Sequence, residues 1–293
     1  MPEGKIIKAV SGFYYVLSEN GVFQCKGRGV FRKKKLTPLV GDYVVFQAEK
    51  DNEGYILEVK ERKNELIRPP IANVDQAVLI FSAVEPEFST TLLDRFLVLI
   101  EANNIHPLIC ITKMDITNRE QAEIIQRYKN DYSRIGYKVL LISTKTTDGI
   151  NELLPYLNGK ISVFAGQSGV GKSSLLNMIN PELNLKTAQI STHLGRGKHT
   201  TRHVELMEIG NGFVADTPGF SSLEFTGIEA QQLATFFPEI NNIGEGCKFR
   251  GCFHLKEPHC AVKAAVENKV IPEYRYKNYK NFLQEIKERK PRY

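Results

Sequence analysis

Gly166-Gln167-Ser168-Gly169-Val170-Gly171-Lys172-Ser173 is the stretch that most limits how this chain can fold. It satisfies the phosphate-loop pattern G-x-x-x-x-G-K-[ST] at every fixed position. The apolar run Ile161–Ala165 precedes it and a helix-compatible run, Ser174–Ile179, follows. Strand, glycine loop and helix are the context the pattern needs. Glycines let backbone N–H groups converge on an anion, and the helix N-terminus adds its positive dipole end. Lys172 is placed to reach β- and γ-phosphates, and Ser173 to hold Mg²⁺ through its hydroxyl.

Around this loop the chain alternates strands and helices. Ala77–Phe81 is a continuous apolar run, as a strand buried on both faces requires. Thr90–Asn103 reads as an amphipathic helix, Leu108–Ile111 as a strand and Arg119–Ile135 as a helix. Strand Lys138–Ile142, helix Ile150–Leu157 and strands Val204–Ile209 and Phe213–Ala215 complete a doubly wound, mostly parallel sheet. Ahead of it, residues 5–62 read as short strands (Lys5–Val10, Phe13–Leu17, Val22–Cys25, Asp42–Gln47, Tyr55–Val59) punctuated by glycines. Five such strands fit a small oligonucleotide-binding barrel. Arg68-Pro69-Pro70 reads as a linker.

Charge is distributed unevenly over the 293 residues, whose net charge is +6. Residues 1–68 carry +4, 69–246 carry −5 and 247–293 carry +7. Basic ends around an acidic middle suggest a polyanion held at the ends and chemistry at the centre. The loop Gly27–Lys35 and the run Tyr274–Lys280 mix basic and aromatic residues, which suits RNA contact; the alternatives are a merely solvated loop for the first and a packed helix with a solvated basic face for the second. No apolar stretch approaches membrane-span length and no secretory leader is evident, so a cytoplasmic protein is expected; a monomer is the expected state.

Cys25 and Cys110 lie in apolar runs and read as buried small residues, whereas Cys247-x4-Cys252-x-His254-x5-Cys260 has the ligand set of one structural Zn²⁺ site. His259 is a possible substitute ligand.

Two further motifs bear on the nucleotide. Thr112-Lys113-Met114-Asp115 closes a strand and resembles the guanine-reading N-K-x-D motif of GTPases, with Thr in place of Asn. A carboxylate can accept from both N1–H and the 2-amino group of guanine. Adenine would leave it unpaired, at a cost of about 1–3 kcal/mol. Ser143-Thr144-Lys145 resembles the loop that buttresses the guanine. Asp216-Thr217-Pro218-Gly219 is a D-x-x-G whose aspartate can serve Mg²⁺ and whose glycine can meet the γ-phosphate. In ordinary GTPases the phosphate loop comes first; here it follows both base-reading motifs, so the chain resembles a circularly permuted GTPase.

Taken together, these motifs resemble the ribosome small-subunit-dependent GTPases of the RsgA type. The resemblance covers essentially the whole chain and implies an RNA-binding barrel over 1–68, a permuted GTPase domain over 69–226 and an α-helical zinc-binding domain over 227–293 with a basic tail. It implies GTP contacts from Thr112, Lys113, Met114, Asp115, Ser143, Thr144, Lys145, Gly166, Gln167, Ser168, Gly169, Val170, Gly171, Lys172, Ser173, Ser174 and Gly219. Mg²⁺ would be held through Ser173, Thr201 and Asp216. His199 would position the attacking water, because Phe220 stands where many GTPases place a glutamine. The implied activity is GTP hydrolysis to GDP and phosphate, stimulated by the small subunit during its late maturation, with rRNA as partner. A nucleotide-gated rRNA-binding module with negligible turnover is the alternative, motivated by Phe220. An ATP-driven RNA-remodelling enzyme is a third reading, which Asp115 opposes.

Overall fold

A computed structural model describes residues 1–29, 31, 36–49, 52–67, 69–183, 204–216 and 223–289, with Glu182 and Asp216 described by backbone alone. Strands β1 (Glu3–Val10), β2 (Phe13–Ser18), β3 (Gly21–Gly27), β4 (Tyr43–Ala48) and β5 (Glu53–Val59) form the N-terminal unit. The first three make an antiparallel meander, β3 runs parallel to β5, β5 pairs antiparallel with β4, and β4 returns to β1 to close a barrel. Alternation sends Val16, Phe23, Cys25, Val44, Phe46 and Ile56 into its core.

The expected linker is more ordered than its prolines imply. β6 (Glu65–Ile67) and β7 (Pro70–Ala72) form a hairpin in which Ile67 is paired with Pro70. Proline is tolerated there because a strand's first residue need not donate to the ladder. The fully buried Asp42 accepts from Arg62 Nε and Nη2, both at 2.7 Å, and from the Leu39 N–H, which fixes the hairpin's root to the barrel. Arg68 lies outside the described residues.

In the central unit β8 (Gln76–Ser82), β9 (His106–Thr112), β10 (Lys138–Leu141), β11 (Ile161–Ala165) and β13 (Gly212–Asp216) are parallel, in the order β10-β9-β8-β11-β13. Every residue of β8 is buried. Helix α1 (Thr90–Glu101) starts on the hydroxyl of Ser89, and α2 (Arg119–Ile135) on a reciprocal Asn118–Gln121 capping box. Helices α3 (Ile150–Leu157) and α4 (Lys172–Ile179) flank β11. From β8 the chain builds outward through β9 and β10, then crosses back to β11 on the other side. The topological switch point is therefore the crevice between β8 and β11, where a doubly wound sheet presents its ligand site.

β12 (Glu205–Ile209) runs antiparallel to β13 and also pairs with β1 of the barrel, with Lys8 opposite Glu205. The two units thus share one 11-stranded sheet.

Helices α5 (Pro238–Gly244), α6 (Ala261–Glu267) and α7 (Glu273–Glu288) form the C-terminal unit. The run Tyr274–Lys280 does not present a stacking surface as a whole, because Arg275, Asn278 and Tyr279 are buried. Arg275 Nη1 donates to Asp94 of α1 at 2.5 Å, and its Nε and Nη2 donate to Glu239 of α5 at 2.7 and 3.0 Å. Asp94 also accepts from Tyr132 at 2.6 Å and Asn278 at 2.7 Å. A buried guanidinium needs such pairing, and here it ties the last helix to the central unit. Lys290 and the rest of the basic tail lie outside the described residues, as do Val30 and Arg32–Lys35 of the barrel loop. Among the described residues no helix is long and apolar enough to cross a membrane.

Candidate functional site: a phosphate loop, a base-reading motif and a Cys/His cluster

The phosphate loop leaves β11 at Gly166, whose φ is 151°. A Cβ there would meet the carbonyl oxygen of Ile80 at 2.1 Å, so only glycine lets the loop pass over the end of β8. Gly171, in the left-handed region, begins α4. Lys172 Nζ donates to the carbonyls of Gly166 at 2.7 Å and Gln167 at 2.5 Å, and burial lowers its pKa to about 8. A half-desolvated ammonium at a helix N-terminus is a strong attractor for phosphate. Ser173 is buried in the first turn of α4, and its hydroxyl suits a hard cation.

Because the strands are parallel and in register, their C-terminal ends share one edge: Ser82 is level with Thr112, Ile111 with Leu141, Leu79 with Ala165, and Val163 with Ala215. The base-reading motif, the Ser143–Lys145 loop, the phosphate loop and the backbone of Asp216 therefore emerge on one edge. The Thr112 hydroxyl lies between the carbonyls of Val170, at 2.6 Å, and Phe81, at 3.1 Å, which joins the base-reading motif to the phosphate loop. Lys113 has φ 61°, and its ammonium donates to the carbonyl of Glu85. Ser143 Oγ donates to Asp115 Oδ1 at 2.8 Å while accepting from the N–H groups of Lys145 and Thr146. This holds Asp115, which is exposed at the rim, in one orientation. A carboxylate has acceptor sites for about four hydrogen bonds, so capacity remains for two guanine donors. Thr144 and Lys145 continue the same loop.

One contributor had no motif to reveal it. The segment after β8 folds back through Ser82, whose hydroxyl accepts from the N–H groups of Val84 and Glu85. It brings Pro86 to 4.0 Å from where a Gly169 side chain would begin and supplies the carbonyl that holds Lys113. The only sequence signal is its position at the end of the first parallel strand, beside the switch point.

Asp216 is the last residue of β13, adjacent to β11, so its backbone lies on the motif edge. Oxygen donors from Ser173 and Asp216 are the ligand chemistry Mg²⁺ takes. Thr201, His199, Gly219 and Phe220 lie outside the described residues.

In the C-terminal unit, Cys247, Cys252, His254 and Cys260 bring their ligand atoms within 4.8 Å of one another. The Cys247–Cys260 and Cys252–Cys260 sulfurs are 3.8 and 3.9 Å apart, and His254 Nδ1 is 3.5 Å from Cys247 and 3.4 Å from Cys260. A tetrahedron of Zn–S bonds of about 2.3 Å has edges of about 3.8 Å, so these four donors fit the ion. His259 is exposed and stands outside the cluster, so it is no substitute ligand here. Tyr276 and Tyr279 of α7 donate their hydroxyls to the carbonyls of His254 at 2.6 Å and Phe253 at 3.0 Å, as the packed-helix reading of this run requires. The Glu257 carboxylate accepts from the N–H groups of Phe253 and Leu255.

A family model described as RsgA GTPase matches residues 59–226, and one described as RsgA N-terminal domain matches residues 3–56. The small ribosomal subunit biogenesis GTPase RsgA of Bacillus velezensis is 68% identical over 296 residues, and that of Bacillus subtilis 65% identical over 298, each covering 100% of both chains. Among solved structures, that of YloQ, a circularly permuted GTPase, is 60% identical with a TM-score of 0.87, covering 100% of this chain and 97% of the other. YjeQ from Thermotoga maritima is 40% identical with a TM-score of 0.88, covering 99% of each.

Proposed function

The chain belongs to the RsgA GTPase family, and on that premise we propose that it is a cytoplasmic, monomeric GTPase acting late in maturation of the small ribosomal subunit, with hydrolysis stimulated by that subunit. It hydrolyses GTP to GDP and phosphate. The observation that most supports a single guanine-nucleotide site is the 2.6 Å contact from Thr112 to Val170, because it brings the base-reading and phosphate-binding loops to one place.

In this reading Gly166, Gln167, Ser168, Gly169, Val170 and Gly171 wrap the phosphates, with Lys172, Ser173 and Ser174 at the start of the helix. Asp115 reads the guanine edge. Lys113, Met114, Ser143, Thr144 and Lys145 wall its pocket, and Gly219 meets the γ-phosphate. Ser173, Thr201 and Asp216 hold Mg²⁺, which neutralises phosphate charge when bound. His199 orients the attacking water. Cys247, Cys252, His254 and Cys260 hold one structural Zn²⁺, supported by the edge lengths of the cluster. Residues 1–68, 69–226 and 227–293 serve as barrel, GTPase and zinc domains, and the basic ends contact rRNA. Turnover of GTP and ATP, each titrated with small ribosomal subunits, tests the proposal: GTP hydrolysis should rise with subunit and ATP hydrolysis should not. Equal rates with and without subunit would refute the stimulated reaction.

A further inference from the structure

The four residues between the first two thiolates are Lys248-Phe249-Arg250-Gly251. Phe249 is 45% exposed, whereas Phe225, Phe237 and Phe282 of the same unit are buried. Lys248 and Arg250, on either side of it, are exposed. Lys248 Nζ stands 5.9 Å from the Phe249 ring centre. Gly251, with φ 70°, turns the backbone into Cys252. The loop is therefore clamped at both ends by residues of the thiolate cluster, and its aromatic tip is held out in solvent.

The pattern repeats beside it. Lys287 of α7 lies 3.8 Å from the ring centre of Phe253, and Lys280 lies 4.7 Å from that of Tyr276. Tyr276, Lys280 and Lys287 recur at helical spacing on one side of α7, the side on which the Tyr276 hydroxyl holds the thiolate loop through His254. One face of the C-terminal unit thus carries rings interleaved with cations, in a segment whose charge over 247–293 is +7.

From this arrangement we infer that the Cys247–Cys252 loop is a stacking knuckle for an unpaired base of single-stranded RNA, with Phe249 against the base and Lys248 and Arg250 on the adjoining phosphates. This deepens the rRNA reading given above and rests on it. Duplex RNA keeps its bases stacked on one another and offers Phe249 no free ring face, while a single strand offers one at every nucleotide. Cations alone would serve either form.

The test uses full-length, zinc-loaded protein and two labelled probes, a single-stranded oligoadenylate and an RNA duplex of the same length, read by fluorescence anisotropy. Phe249→Ala should weaken the single strand by about tenfold and leave the duplex unchanged, while Phe249→Trp retains single-strand affinity. Lys248→Gln with Arg250→Gln should weaken both probes and flatten the salt dependence. Metal content measured for each variant separates lost stacking from a lost fold, and the tryptophan variant keeps the question answerable if the alanine protein misfolds. Wild-type single-strand affinity in Phe249→Ala overturns the inference, as does an equal loss for both probes. So does a variant that keeps its oligoadenylate affinity but no longer sediments with small subunits, which would assign the loop to a protein partner. Wild-type protein that binds neither RNA overturns this inference and the rRNA contact together. Subunit-stimulated GTP hydrolysis, measured on the same samples, shows whether the GTPase reading survives.

Discussion

The hydroxyl of Thr112 lies 2.6 Å from the carbonyl oxygen of Val170, across 58 residues of chain. It directly joins the loop proposed to face a base and the loop proposed to face phosphates, and it spans the junction at which the sheet reverses its winding. The order of motifs along the chain does not matter to this bond. Only the parallel register that brings their strand ends level does.

Replacing Thr112 by Val keeps the shape and removes the donor. The buried Val170 carbonyl then loses this donor, at a cost of about 1–3 kcal/mol. Nucleotide titration should show GTP affinity reduced by about tenfold, with a lowered denaturation midpoint. Thr112→Asn, which can still donate, should recover most of both.

Asp115→Asn removes the charged acceptor proposed to face two guanine donors. Competition between GTP and ATP should show the preference for GTP falling by about a hundredfold, since charge-assisted hydrogen bonds contribute about 1.5–3 kcal/mol each. Ser143→Ala frees the carboxylate without removing it, so its effect on the same ratio should be smaller, about fivefold.

Burial lowers Lys172 to about 8, and phosphate binding favours its charged form. Below pH 7 the free protein is already protonated there, so Lys172 adds no pH dependence to GTP affinity. Above pH 8 the free protein must take up a proton to bind, and affinity should fall by up to about tenfold per pH unit. In the absence of nucleotide the sign is opposite for stability. Between pH 8 and the ordinary lysine range the unfolded chain holds more protons at this site, so its contribution to stability rises with pH. Lys172→Arg stays charged throughout, and its binding curve should lack the inflection near pH 8 whatever its absolute affinity.

Arg275→Met leaves the buried Asp94 and Glu239 without their cation. Urea unfolding should show a loss of about 3–5 kcal/mol, and Arg275→Lys should not restore it because an ammonium cannot reproduce the two-pronged contact to Glu239.

Chelating the proposed Zn²⁺ of the Cys247–Cys260 cluster should raise amide exchange across residues 247–262 and along the adjoining face of α7, where Tyr276 and Tyr279 hold the loop's carbonyls. Exchange in β8 and β11 should be unaffected.

What could be read in advance follows from how local each signal is. Arg119–Ile135, Ile150–Leu157 and Ile161–Ala165 have the ends expected for them, because caps and apolar runs are local chemistry. The phosphate loop and the thiolate cluster were legible for the same reason. The run Tyr274–Lys280 was open to two readings because its spacing is the same whether Arg275 meets phosphate or Asp94, and Asp94 is 181 residues away. The pairing of Lys8 with Glu205 that merges barrel and sheet was invisible, since one ladder pair leaves no periodicity. The hairpin at Ile67 and Pro70 was hidden by prolines that usually stop a strand. The segment from Ser82 to Pro86 carries no motif, and only the winding of the sheet gives it a place.

Isothermal titration with a non-hydrolysable GTP analogue addresses the convergence of shuffled loops most directly, applied to wild type, Lys172→Ala, Asp115→Ala and the double variant. The account predicts one binding event per chain that is weakened by either substitution, at opposite ends of the same ligand. Two independent binding events, or an isotherm that responds to Lys172 and ignores Asp115, would contradict it.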